Sequence, residues 1–126
     1  MQQLNGSEPA FGAILLGNLN RVFNERNAAR RLEAMAEFWA EDAVMFEADT
    51  VHFGLKAISD NVGAVQARLP EDIRFMPAGE AIANHGSAML RWQAGSEDGR
   101  TAVSGTDIAM FKNQRIHSMH VYLDPF

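Results

Sequence analysis

The last third of the chain, residues 101–123, most narrows what this sequence can fold into: two apolar, β-rich runs joined at Lys112-Asn113-Gln114-Arg115. A period of two puts Val103, Gly105, Asp107, Ala109 and Phe111 on one side of the first run, with Ser104, Thr106, Ile108 and Met110 on the other. Asp107 thus shares a face with mostly apolar neighbours. Carboxylates are rarely buried without a partner, so this one is either turned outward by a bulge or kept for a purpose. The same alternation groups His117, Met119, Val121 and Leu123 on the second run, against Ile116, Ser118, His120, Tyr122 and Asp124. Asn113 suits the left-handed backbone that a tight turn between the two requires.

Upstream, Ser7-Glu8-Pro9 offers a cap and a first-turn proline, and Phe11, Ile14, Leu15, Leu19, Val22 and Phe23 then recur at helical spacing, which predicts one long first helix. Asn24-Glu25-Arg26-Asn27 breaks that pattern, and Asn27 can cap a second helix carrying Ala28, Leu32, Met35 and Trp39 on one face. Ala43 to Phe46 reads as a short strand with Val51-His52-Phe53 as its partner. Ile58, Val62, Val65 and Leu69 mark a third helix that stops at Pro70. Strands follow. The run from Ile73 meets Pro77, which predicts a bulge or kink before extended structure resumes near Glu80 to Ala83. The next run alternates with Ala88, Leu90, Trp92 and Ala94 inward and Ser87, Met89, Arg91 and Gln93 outward. Three helices followed by consecutive long strands is an α+β pattern, and residues 1–126 make one domain with residues 1–7 as a short tail.

Composition excludes several partners. The formal charge is −5, with Lys and Arg scattered, so there is no basic footprint for nucleic acid or an anionic membrane. The absence of cysteine removes disulfides, thiol nucleophiles and thiolate metal sites, and it fits a reducing compartment, the cytoplasm by default. No apolar run is long enough to span a bilayer, and no export signal is visible. No phosphate-cradling loop, nucleophile elbow or zinc-helix motif appears, so any chemistry is expected to need no cofactor or metal.

A helical hairpin, then Phe38-Trp39-Ala40-Glu41-Asp42-Ala43-Val44, then Gly54-Leu55-Lys56-Ala57-Ile58, then Gly105-Thr106-Asp107-Ile108-Ala109-Met110-Phe111 and Arg115-Ile116 together resemble the NTF2-like superfamily. Within it the chain looks most like the SnoaL-like polyketide cyclase and ketosteroid isomerase branch, over nearly everything from Phe11 to Asp124. The resemblance implies a curved antiparallel or mixed sheet wrapped as a cone around the first helix, a blind apolar pocket inside, and a homodimer formed through the sheet. It also implies roles. Glu47 falls where the isomerase branch has its proton-shuttling base, and Asp107 where an acid of the penultimate strand stabilises an oxyanion. Phe23 occupies the position of the branch's first-helix tyrosine and has no hydroxyl, while the only tyrosine, Tyr122, lies on the last strand. Phe23, Leu90, Trp92, His117, Met119 and Val121 are the expected pocket walls.

A carboxyl surrounded by carbon has its pKa raised by desolvation, so Asp107 could keep its proton near neutral pH and donate it in a hydrogen bond, while a more hydrated Glu47 works as base. The expectation is a protein that binds a small apolar carbonyl compound, with acid/base isomerisation, aldol cyclisation or dehydration as its chemistry. The alternative is a non-catalytic dimeric module for ligand or protein binding, and whether the chain is an enzyme stays open. Individual residues have plainer readings too. Asp107 could cap a backbone donor or pair with His117, Glu47 could sit in an ordinary solvated turn, and Glu47, Asp49 and His52 match no metal-binding spacing.

Overall fold

A computed structural model describes residues 8–125 of the chain; Ser7 and the expected tail of residues 1–7 lie outside them. Helix α1, Glu8–Gly17, buries Phe11 and Leu15. Its continuation over Asn18–Phe23 widens to π-helical turns, with Leu19 and Val22 buried, in place of the single regular helix that the spacing predicts. Packing at Gly17 accompanies the change: a Cβ there would sit 2.5 Å from the Phe38 ring, so only the bare backbone allows that approach. The wide turn closes with Asn24, whose N–H donates to Leu19 O at 3.0 Å.

Asn24 then clamps the helix end to a strand. Its amide donates to Phe75 O at 2.8 Å and accepts from the Phe75 N–H at 2.7 Å. Helix α2, Ala28–Phe38, starts as its sequence predicts, with Asn27 Oδ1 accepting from the Arg30 N–H at 2.9 Å. Trp39 does not continue that helix. Its backbone is extended, it opens strand β1, Trp39–Phe46, and it stays buried by donating from Nε1 to Asn18 Oδ1 at 2.8 Å.

Strand β2, Val51–Phe53, pairs antiparallel with β1, and α3 runs from Leu55 to Arg68, two residues short of Pro70. Strands β3, Arg74–Pro77, and β4, Ile82–Asn84, both pair with β5, Ser87–Gly95, so the extended run breaks after Pro77 and resumes along the same partner, with residues 78–81 set against only Leu90 and Arg91. Strands β6, Thr101–Lys112, and β7, Arg115–Leu123, complete a sheet ordered β2-β1-β7-β6-β5-β3. Every pairing is antiparallel except β1 with β7, so the sheet is mixed, and it is open. The turn between β6 and β7 is left-handed at Asn113, as expected, and at Gln114 as well.

The helices cover the concave face of the sheet, with α1 against β4 and β5 and α3 against β1 and β2. Inward rows follow the predicted alternation on β5, where Ala88, Leu90, Trp92 and Ala94 are buried, and on β6, where Gly105, Asp107 and Ala109 are buried. Strand β7 differs. Its pairing slips by one residue between Met110 and Phe111, so Phe111 faces Ile116 while Met110 faces Ser118. His117 is the extra residue of this bulge, and the buried pair becomes Ile116 and Met119 instead of His117 and Met119.

The clamp at Asn24 gives a stability test. Asn24→Ala strips two hydrogen bonds from the Phe75 backbone and should cost about 2–3 kcal/mol, against about 1 kcal/mol for the cap variant Asn27→Ala, both read from urea unfolding midpoints. A larger loss at Asn27 would contradict the clamp.

Candidate functional site

The concave face carries one row of side chains that runs across four strands near the C-terminal end of β7. Asp107 on β6 is paired in register with Leu90 on β5 and with Val121 on β7. On the other flank of β7, Phe46 of β1 faces His120, so Glu47, one residue on, comes beside Val121. The inward order is Leu90, Asp107, Val121, Glu47. With strands spaced about 4.8 Å apart, the two carboxyl-bearing positions are separated by about 10 Å along the sheet.

Asp107 is 3% exposed, and its Oδ1 accepts a hydrogen bond from Trp92 Nε1 at 2.9 Å. Desolvation pushes its pKa up to about 7, with the Trp92 N–H acting in the opposite direction. Trp92 is itself fixed by neighbours. Its ring leans over Gly105, the residue directly opposite on β6, where a Cβ would come within 2.8 Å of Cζ2 and would also clash with Tyr122 O. Phe75 packs on it at 5.4 Å between ring centroids, and Phe23 meets Phe75 edge-on at 5.3 Å.

Glu47 stands at the open end of the row, where three groups converge on its carboxylate. His52 Nε2 lies 3.1 Å from Oε1, Thr50 Oγ1 donates to Oε1 at 3.2 Å, and Asn61 Nδ2 donates to Oε2 at 3.2 Å. The turn that presents it is closed by its own N–H bonded to Thr50 O at 2.9 Å. Glu47 lines a hollow of about 650 Å³ together with Asp49, Thr50, His52, Asn61 and Arg68 on one side and residues 120–123 of β7 on the other. Phe46 joins this wall, its ring stacked on His120 at 4.5 Å.

The other expected pocket residues fall into separate places. Val121 lines the same hollow as Glu47. Leu90, Trp92 and Met119 are buried in the packed interior and, like Asp107, do not line the hollow beside Glu47 or the two smaller ones. Phe23 borders a smaller one of about 170 Å³ between the end of the π-helical segment, α3 and β3. His117 is not a pocket wall. The bulge turns it out, its side chain is 41% exposed, and Nε2 sits 3.9 Å from Asp42. It therefore does not pair with Asp107. A third hollow, of about 430 Å³, lies at the opposite end of β7 beside Trp39, Asp42, Lys112 and Arg115.

Sequence reasoning weighed His52 only as a metal ligand and missed Asn61 and Arg68. Asn61 and Arg68 are seven residues apart on α3, hence on one helical face, which is a readable signal once the helix is assigned. Among the described residues no group of three His, Asp or Glu side chains gathers in a way that could hold a metal ion. No helix among them is long and apolar enough to cross a membrane.

Solved structures match this architecture over almost its whole length. A SnoaL-like family protein from Agrobacterium tumefaciens, to which an isomerase activity is ascribed, aligns with a TM-score of 0.79 and 22% identity over 96% of this chain and 100% of that one. An NTF2-like protein of unknown function from Mesorhizobium loti gives 0.67 and 22% over 98% of each chain. The fold is NTF2-like. A protein from Jannaschia described as a SnoaL-like polyketide cyclase carries the same NTF2-like architecture at 9% identity, with a TM-score of 0.77 over 98% of this chain and 92% of that one. No family model matches the sequence, and no curated protein matches it. At these identities the likeness establishes the fold, and the chemistry has to be argued from the side chains.

The raised pKa of Asp107 sets a pH dependence of stability. Below about pH 4 folded and unfolded chains both carry the proton; between the unfolded value of 3.8 and about 7 only the folded chain keeps it. Raising the pH through that window therefore removes stability, at up to about 1.4 kcal/mol per pH unit, and the loss levels off above the folded pKa. Asp107→Asn should flatten this limb when urea midpoints are compared from pH 4 to 8. An unchanged slope would mean that the carboxyl is not desolvated.

Proposed function

We propose that the protein binds a small, mainly apolar carbonyl compound in the hollow beside Glu47 and catalyses proton transfer at the carbon next to the carbonyl. The observation that carries this reading is the Glu47 carboxylate, held by His52, Thr50 and Asn61 at the edge of a cavity with room for a ligand. Glu47 takes the proton, the C–H electron pair becomes the new C=C bond, and the carbonyl π electrons move onto oxygen. In this reading protonated Asp107, two strands away on the same face but buried outside the hollow, becomes the hydrogen-bond donor to that enolate oxygen once the ligand opens the packing that covers it. Return of the proton at another carbon gives isomerisation; attack of the enolate carbon on a second carbonyl gives aldol cyclisation; loss of hydroxide from the β carbon gives dehydration. Proton transfer between carboxyl groups and a ketone calls for no cofactor.

Two features support a homodimer formed through the sheet: the resemblance to the SnoaL-like branch and the apolar outer face. Across that face Met89, Ile108, His120 and Phe46 form a row in register, with Met110 and Tyr122 exposed beside them. A non-catalytic binding module is the second reading. It is favoured by the dense packing around Leu90, Trp92 and Met119, which leaves Asp107 outside the hollow that Glu47 lines.

Deuterium exchange separates the two readings. The protein should accelerate loss of the α-proton signals of 1-indanone in D2O, followed by proton NMR, and Glu47→Gln should lower the rate by about 10²- to 10⁴-fold. Asp107→Asn should slow it while leaving a cooperative unfolding transition. Binding of the ketone without exchange would establish the module instead. For the assembly, Ile108→Glu should convert a dimer to a monomer in sedimentation equilibrium, and a monomeric wild type would refute the dimer.

A further inference from the structure

We infer that the compound taken by the Glu47 hollow carries an anionic group, a carboxylate several carbons from its acidic C–H, and that Arg68 receives it. This rests on Glu47 being the base. Arg68 is the last residue of α3 and lines the same hollow as Glu47. Several arginines are occupied: Arg21 pairs with Glu37, Arg91 with Asp124 and Arg100 with Asp72; Arg74, which is not, borders a different hollow. Arg68 has no hydrogen-bond or ion-pair partner among the described residues. A cation in the last turn of a helix is favourable against the helix dipole, which accounts for its presence on α3 but not for its place in a cavity wall.

Spacing narrows the ligand. Asn61, which holds Glu47, and Arg68 lie on one face of α3, two turns apart, or about 10 Å along the helix axis. A molecule whose carbon acid reaches Glu47 and whose carboxylate reaches Arg68 must therefore be elongated. The wall between them supplies Val121 and Leu123, which suit an alkyl or ring body. Glu47 and Asp49 would repel a carboxylate placed at the other end of the hollow, so the charges also fix the direction in which an oxo acid enters. A guanidinium offers two parallel donors to such a group.

The probes are 9-oxodecanoate and its methyl ester, with deuterium exchange next to the ketone read by proton NMR. In the wild type the acid should show a KM about tenfold or more below that of the ester, the scale of one charge-assisted contact. Arg68→Gln should bring that ratio near one, Arg68→Lys should keep part of it, and added NaCl should erode it. A ratio near one in the wild type, or a ratio untouched by Arg68→Gln, overturns the inference. Exchange of the ester that depends on Glu47 would then leave the catalytic reading standing. If neither probe exchanges but the acid binds in an Arg68-dependent way, the anion site survives and the catalytic reading falls.

Discussion

The parallel pairing of β1 with β7 governs the arrangement at the mouth of this molecule. The two strands come from opposite ends of the chain, and only their alignment brings Glu47 into the row that already contains Asp107 and Val121. Antiparallel neighbours can be joined by a short hairpin, whereas a parallel pair needs a long crossover, here the whole of α3 and the strands that follow it. Two carboxyl groups of unlike environment are the outcome. One ends β1 and is reached by Thr50, His52 and Asn61; the other is enclosed in mid-strand with a single indole donor. A pair of acids whose surroundings push them apart is the usual basis for dividing acid and base roles.

Much of this was legible from the residues. The alternation on β5 and β6 placed Leu90, Trp92 and Asp107 on the buried face, because antiparallel strands with one covered side obey a strict period of two. The cap at Asn27 and the left-handed turn at Asn113 were equally readable, since each depends on the chemistry of one side chain. What escaped was long-range or depended on an irregularity. The extra residue at His117 reverses parity for the start of β7, and nothing local in Arg115-Ile116-His117-Ser118 announces it. The π-helical turns from Asn18 go with the seating of Phe38 on Gly17, a contact between two helices. The surroundings of Glu47 needed the fold of α3 over β1 before Asn61 could be seen to touch it.

The resemblance and the geometry say different things about function. Proteins of this shape at 9% and 22% identity share the backbone while their descriptions range from isomerase to polyketide cyclase, so the cone is a scaffold and its rim residues decide the use. Phe23, the position that the resemblance matches to a first-helix tyrosine, carries no hydroxyl. Its ring is spent on packing against Phe75, at the wall of a different cavity from the one beside Glu47. The Asp107 carboxyl, for its part, has an indole as its immediate companion.

That indole is steered by a residue with no side chain. The Trp92 ring can lie across β6 only because Gly105 is bare, and from there its N–H reaches the carboxyl two positions along. A methyl at that spot would press on the Tyr122 carbonyl as well as on the ring, so it would disturb the pairing of β6 with β7 and the donor to the acid together. Bare backbone at one position thus serves the spacing of two strands and the surroundings of a buried carboxyl at once.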